Sequence, residues 1–249
     1  MKNVLVTGAA KRLGRAIALD LASTGWNVAI HYHTSGADAE DVAAQCRAKG
    51  VKAVTLQADL SREAETAHLV RHAADEIGPL TALINSASLF EHDDWQSANR
   101  QSWDAHIETN LRAPLVLAQS LAHQLPSGEQ GCIINLIDQR VLKPTPQFLS
   151  YSLSKAGLYW LTKTLAQAMG PTIRVNAIGP GPTMRNARQS QEDFARQRDA
   201  TVLKRGADEN DICTAVRYLL DAPAVTGQMI AVDGGQHLVW QTPDVQVNE

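Results

Sequence analysis

The sequence predicts a single α/β domain: a doubly wound, mostly parallel sheet of seven strands with helices on both faces. Three observations lead there. Short apolar runs rich in β-branched residues alternate with longer stretches of helical periodicity along most of the chain. The first run, Asn3 to Thr7, passes through a glycine-bearing loop directly into a helix. Later runs end in small polar residues or glycine, as strands do when a ligand lies outside their carboxyl ends. With 249 residues, 44% hydrophobic and 20% charged, the chain can bury one large core. No repeat or composition shift marks a second domain within 1–249.

Taken in order, NVLVT at 3–7 is the first strand. Gly8 to Gly14 (GAAKRLG) forms the loop, and RAIALDLASTG follows as a helix stopped by Gly25. In that setting Gly8 permits a tight turn and Gly14 lets backbone approach a pyrophosphate. The helix N-terminus favours phosphate charge. The spacing is T-G-x-x-x-R-x-G, with Arg12 where a further glycine is usual. NVAIHY at 27–32 is the second strand. An acid at its end would take a ribose 2′-hydroxyl, but the chain continues His33, Thr34, Ser35. Those donors, with charge from Lys11 or Arg12, suit a 2′-phosphate, so NADP is expected over NAD. A competing reading gives the acid's part to Asp38, which fits better as an early acid in the next helix. The neighbouring histidines lack further ligands, so no metal is expected.

That helix runs from Ala37 to Lys49 and stops at Gly50. Val51 to Gln57 is the third strand. Asp59, just beyond it, either contacts adenine or is a loop acid near a helix start. Ser61 reads as the N-cap of a helix with Glu63 and Glu65 in its first turn, ending near Ile77. Leu80 to Ile84 is the fourth strand, and Asn85-Ser86-Ala87-Ser88 leaves room for a ribose or nicotinamide. A long helix is expected from Arg100 to Leu125, with Asn110 and Pro114 marking an irregularity that holds a water or merely faces solvent.

Cys132 to Ile137 is the fifth strand and ends at Asp138. The next helix reaches Met169 and sets Tyr151 and Lys155 one turn apart on one face. An ammonium near a phenol favours the phenolate and lowers its pKa, making Tyr151 a proton donor or acceptor. Ile173 to Ile178 is the sixth strand, ending in Gly179-Pro180-Gly181-Pro182. The polar segment 183–205 is either a lid over the substrate or a plain surface excursion. Glu209 to Leu220 is a helix and Met229 to Val232 the last strand, before Asp233-Gly234-Gly235. The polar tail, 241–249, reads as disordered.

Composition excludes several classes. A net charge of -3 offers no general attraction to nucleic acid or an anionic membrane. Cys46, Cys132 and Cys213 are too scattered for a disulfide framework or zinc site and read as small buried residues. No stretch approaches a membrane span, and MKNVLVTGAA lacks a signal peptide's apolar region, so a cytoplasmic location is expected.

Taken together and in this order, several motifs resemble the short-chain dehydrogenase/reductase family over nearly the full chain. They are TGAAKRLG, Asn85-x-Ala87, Asn110, Tyr151-x-x-x-Lys155, RVNAIGPG and VDGG. The resemblance implies a Rossmann sheet and a homotetramer. It implies that Tyr151 is the proton donor or base, that Lys155 binds nicotinamide ribose, and that Asn110 helps hold a water-linked proton relay. It also implies a cofactor site made of Gly8, Lys11, Arg12, Leu13, Gly14, His33, Thr34, Ser35, Asp59, Leu60, Asn85, Ala87, Ser88, Tyr151, Lys155, Pro180 and Gly181.

The departures narrow the reading. The family usually has a serine 13 residues before the tyrosine; here that position is Asp138. A carboxylate suits amino or ring N–H groups better than an electronegative carbonyl oxygen, and it can also pass protons to Tyr151. With Arg12, HYHTS and NSASLF, the chain resembles the pteridine reductase branch, which includes bacterial dihydromonapterin reductases with dihydrofolate reductase activity. That resemblance implies that Phe90 stacks the pterin against nicotinamide, that Ser88 binds cofactor or substrate, and that Arg12 lies near phosphate and pterin. Thr34 stands where the branch often has arginine. The expected reaction is NADPH-dependent reduction of the C=N bond of a dihydropterin, with folate acceptance left open. Two alternatives are a general carbonyl or 3-oxoacyl reductase and a non-catalytic NADPH-binding sensor. The Tyr151, Lys155 and Asn110 set argues against the last.

Overall fold

The computed structural model of the chain describes residues 2–185 and 188–242. Its strands are β1 (Asn3–Val6), β2 (Asn27–Tyr32), β3 (Ala53–Gln57), β4 (Ala82–Asn85), β5 (Gly131–Leu136), β6 (Ile173–Pro180) and β7 (Met229–Val232). They form one sheet in the order β3-β2-β1-β4-β5-β6-β7, and every pair is parallel. The strand order reverses between β1 and β4, which opens a crevice at their carboxyl ends.

The helices are α1 (Arg12–Ser23), α2 (Gly36–Arg47), α3 (Glu63–Ile77), α4 (Arg100–Ile107), α5 (Ala113–Gln124), α6 (Leu149–Met169), α7 (Gln191–Asp199) and α8 (Glu209–Asp221). Period-two alternation in the strands sorts them onto two faces. Val4, Val6, Val28 and Ile30 point one way, into a core with Ile17 and Leu21 of α1, Val42 of α2 and Ile212 and Val216 of α8. Leu5, Leu83, Ile133 and Val175 point the other way, onto Leu69 of α3, Leu117 and Leu121 of α5 and Ala166 of α6. The central strands β1, β4 and β5 are buried along their whole length, so their short runs read as continuously apolar.

Several expectations shift locally. Ser61 is not an N-cap: Arg62 holds that position, while Ser61 turns back to bond the Asp59 carboxylate at 2.7 Å. The expected helix from 100 to 125 is broken by a π-helix, Glu108–Arg112, centred on Asn110. The segment 183–205 contains α7, capped by Ser190, so it has its own structure. Residues 243–249 of the predicted disordered tail lie outside the described residues. Cys46, Cys132 and Cys213 are buried free thiols, as expected. No helix among the described residues is long and apolar enough to cross a membrane.

Candidate active site

The glycine loop leaves β1 and starts α1. Gly8 has φ +63°, and a Cβ there would lie 2.8 Å from the Ala87 Cα. A Cβ on Gly14 would lie 2.3 Å from the Gly8 carbonyl oxygen. The loop is therefore folded against itself and against the β4 exit, leaving its backbone bare. No side chain caps α1 and no acid occupies its first turn, so its leading amides keep their donors and positive field. These features fit a pyrophosphate.

His31 shapes this loop, although sequence reasoning gives it no role. The Gly8 amide donates to its Nδ1 at 3.1 Å, and its Nε2 lies 3.1 Å from the Ala58 carbonyl. Burial pulls its pKa down to about 4, so the ring is neutral and Nε2–H donates. Thr7 Oγ1 accepts from the Ser86 and Ala87 amides at 3.0 Å each, tying the β1 and β4 exits together.

Beyond β2, His33 and Thr34 are exposed and Ser35 precedes α2 with its side chain uncommitted to capping. No acid ends this strand. Lys11 pairs with Asp38 at 3.1 Å, so the acid in the first turn of α2 is held by the loop's own lysine. Asp59 accepts from Ser61 and lies 3.9 Å from His33. Asn85 donates to Asn135 at 2.8 Å, while its Oδ1 is buried without a protein partner. The bare loop, the uncapped helix and this orphan acceptor fit a nicotinamide dinucleotide.

Asp138, at the end of β5, and Tyr151, in the first turn of α6, meet directly. The Tyr151 hydroxyl donates to Asp138 Oδ2 at 2.8 Å. Asp138 Oδ1 accepts from the Arg140 amide at 2.9 Å, which fixes the carboxylate. Lys155 is buried, and its Nζ donates to the Leu136 carbonyl at 2.8 Å, 5.8 Å from the Tyr151 ring centroid. Here the expectation of a lowered tyrosine pKa is overturned. Burial, then the charge and hydrogen bond of Asp138, push the phenol well above its ordinary value, against a downward pull from Arg140. Lys155 is itself pulled from 10.5 to about 8 by burial, against Asp138. Tyr151 is thus a protonated donor at neutral pH.

Asn110 is buried rather than facing solvent. Its Oδ1 accepts from the Leu89 amide at 2.8 Å, and its Nδ2 donates to the Leu89 carbonyl and Ser154 Oγ. The side chain is spent on anchoring the 85–90 loop to α6. That anchored loop carries Phe90, whose ring lies edge-on to Tyr151 at 4.6 Å and stacks on Phe148 at 4.3 Å. Arg140 sits over both phenyl rings, 5.6 and 4.9 Å from their centroids.

Phe90, Asp138 and Tyr151 share a cavity of about 560 Å³ with Arg12, Gln139, Arg140, Phe148 and Pro180–Pro182. Met184, Arg188 and Phe194 wall its outer side. Arg12, with φ +52°, donates to the carbonyls of Met184 and Arg185 at 3.1 and 2.9 Å, so it lies on the substrate side. Ser88 is exposed on the loop and is not among the lining residues. Gln139, Arg140 and Phe148 are not singled out by sequence reasoning. The rule that ligands sit beyond strand carboxyl ends covers Gln139 and Arg140, which follow Asp138 directly; Phe148 has no such signal.

The fold and the Asp–Tyr–Lys set together define an oxidoreductase built on a dinucleotide-binding sheet. The family model for short chain dehydrogenase matches residues 2–195, and the chain belongs to that family. Among solved structures, FolM Alternative dihydrofolate reductase 1 from Brucella suis, in complex with NADP, is 47% identical with a TM-score of 0.94, over 97% of each chain. The Brucella canis FolM, also complexed with NADP, is 45% identical with a TM-score of 0.93, over 98% of each. A 3-oxoacyl-[acyl-carrier-protein] reductase FabG from Staphylococcus epidermidis is 33% identical over 242 residues, 95% of this chain and 99% of that one.

Proposed function

We propose that this protein is an NADPH-dependent pteridine reductase that reduces the C=N bond of a dihydropterin, with dihydrofolate as a further substrate. The observation that carries the reading is Asp138, 2.8 Å from the Tyr151 hydroxyl and facing the same cavity as Phe90. A carboxylate at that position repels a ketone oxygen and the alkoxide it becomes. It welcomes the amino and ring N–H groups of a pterin. The flat ring gains from the aromatic face of Phe90. NADP as cofactor is supported by the NADP-bound Brucella relatives and by the acid-free His33-Thr34-Ser35 turn.

NADPH supplies the hydride. The glycine loop and α1 would hold its pyrophosphate, and Lys155 would bind the nicotinamide ribose. The raised pKa of Tyr151 keeps its proton until the substrate nitrogen becomes strongly basic, which suits reduction rather than oxidation. Asp138 orients that hydroxyl and holds substrate N–H groups. Met184, Arg188 and Phe194 serve as a lid over the cavity, which Arg12 latches through the Met184 and Arg185 carbonyls. The working assembly is a homotetramer in the cytoplasm, a reducing compartment in keeping with three free thiols.

The FabG relative supports a second reading, a 3-oxoacyl reductase. NADPH oxidation with dihydropterins, dihydrofolate, quinonoid dihydropterin and a 3-oxoacyl ester, offered side by side, separates the two. Pterin turnover is expected, and Asp138→Ala is expected to lose about 100-fold or more of it while NADPH binding stays within twofold. Turnover of the ketoester alone, or full pterin turnover by the variant, overturns the proposal.

A further inference from the structure

Behind Tyr151 lies a buried polar cluster that the proposed chemistry does not use. Asp93, 2% exposed, sits in the loop that follows β4. Its Oδ1 accepts from the Ser150 amide at 3.0 Å, and its carbonyl accepts from the Leu149 amide at 3.1 Å. Its Oδ2 accepts from the Ser150 hydroxyl and, at 3.0 Å, from Ser102 of α4.

These contacts replace a missing cap. Phe148, at the N-cap of α6, has φ +59° and no capping side chain. The first two amides of α6, those of Leu149 and Ser150, are satisfied instead by Asp93, from far back in the chain. A carboxylate at that end also meets the positive end of the helix dipole. Burial works against the charge, but the Ser150 and Ser102 hydrogen bonds outweigh it and hold the Asp93 pKa below its ordinary value.

His106 of α4 extends the cluster. It is fully buried, and burial lowers its pKa against the pull of Asp93, so the ring is neutral. Its Nε2 accepts from the Glu91 amide at 3.1 Å. The proton therefore sits on Nδ1, which donates to Ser150 Oγ at 2.7 Å, and Ser150 donates onward to Asp93. Every proton in the chain has one direction. Residues 91 and 93, on either side of His92, are thereby bolted to the residue that precedes Tyr151. Phe90 is the next residue along that loop, and its ring meets Tyr151 edge-on at 4.6 Å.

We propose that Asp93, Ser150 and His106 are positioning residues that set the spacing between Phe90 and Tyr151, and so hold the substrate against its proton donor. The inference rests on Tyr151 being that donor, which is common to both readings of the function. A misplacement of about 1 Å at a reacting centre is enough for a 100-fold loss.

The test uses Asp93→Asn and Ser150→Ala in the full-length protein. Asp93→Asn removes the charge and the acceptor for two hydroxyls. Ser150→Ala keeps the backbone bond to Asp93 and removes only the hydroxyl link, so it preserves the fold if the first variant does not. Each is assayed on whichever of dihydropterin or 3-oxoacyl ester the wild type reduces. Active sites are counted by NADPH fluorescence titration. The expected result is NADPH affinity within twofold of wild type, with kcat per NADPH site at least tenfold lower for Asp93→Asn and severalfold lower for Ser150→Ala. A purely structural role would lower the melting temperature and the number of sites but leave kcat per site and KM unchanged. That outcome overturns the proposal. Loss of the pterin reading shows separately, as a wild type that reduces only the ketoester.

Discussion

At the residue scale, Lys155 shows a function held at the expense of stability. Its ammonium is buried and pulled to about 8 from an ordinary 10.5. Each tenfold change in a protonation equilibrium is worth about 1.4 kcal/mol, so the charged form opposes folding by about 3 kcal/mol at neutral pH. The sign follows from the depressed value. The wild type has its full stability above pH 10.5, loses it as pH falls towards 8, and is level below that. Lys155→Met does not titrate here. The variant also loses the bond to Leu136, a constant offset of about 1–3 kcal/mol at every pH. Denaturant unfolding of both proteins should therefore show the difference moving in the variant's favour by about 3 kcal/mol between pH 10.5 and pH 7.5. Parallel curves would mean that Lys155 is neutral or solvated. Tyr151 and Lys155 are legible in sequence as neighbours on one helix turn, and Asp138 and Phe90 through the resemblance to the pteridine reductase branch. Asp93 and His106 are not. Their roles come from contacts across 57 and 44 residues, and an Asp in a polar loop or a His within a helix has no local signature.

At the element scale, strand–loop–helix order foretells most of the architecture. β2 and β7 fall within the expected bounds because both are short apolar runs flanked by turn residues. The π-helix at Glu108–Arg112 is harder to read. An extra residue per turn lets Asn110 reach Leu89 and Ser154 together, a demand imposed by tertiary contacts. The α1 entry gives a direct test. Gly14→Ala puts a methyl 2.3 Å from the Gly8 carbonyl, so loop and helix must part. Affinity for NADPH, followed by fluorescence titration, is expected to weaken at least tenfold, with helix content by circular dichroism retained. An unchanged affinity would place the pyrophosphate elsewhere.

At the scale of the whole molecule, two separate apolar patches remain uncovered. One lies on α4 and α6, where Trp103, Leu153 and Trp160 are exposed, Trp160 by 67%. Leu153 and Trp160 are seven residues apart, on one helix face. The other follows α7 and β7, where Val202, Leu203, Leu238 and Trp240 are exposed. It adjoins β7, an edge strand paired only with β6. We propose that these two groups are the contacts of a homotetramer, because a tetramer of dihedral symmetry needs two different self-complementary contacts on each chain. The second has no sequence signal, because Val202, Leu203, Leu238 and Trp240 lie outside the α-helices and strands. Light scattering should find the wild type at four times the 27.0 kDa chain mass. Trp160→Glu should halve that mass by opening one contact, and Leu203→Glu should halve it by opening the other. The double variant should run as a monomer. A wild-type monomer, or a tetramer indifferent to both charges, would refute this assembly. Because Leu203 follows α7, whose Phe194 and Gln197 line the cavity, Leu203→Glu should also raise KM for the substrate, whereas Trp160→Glu should leave it unchanged.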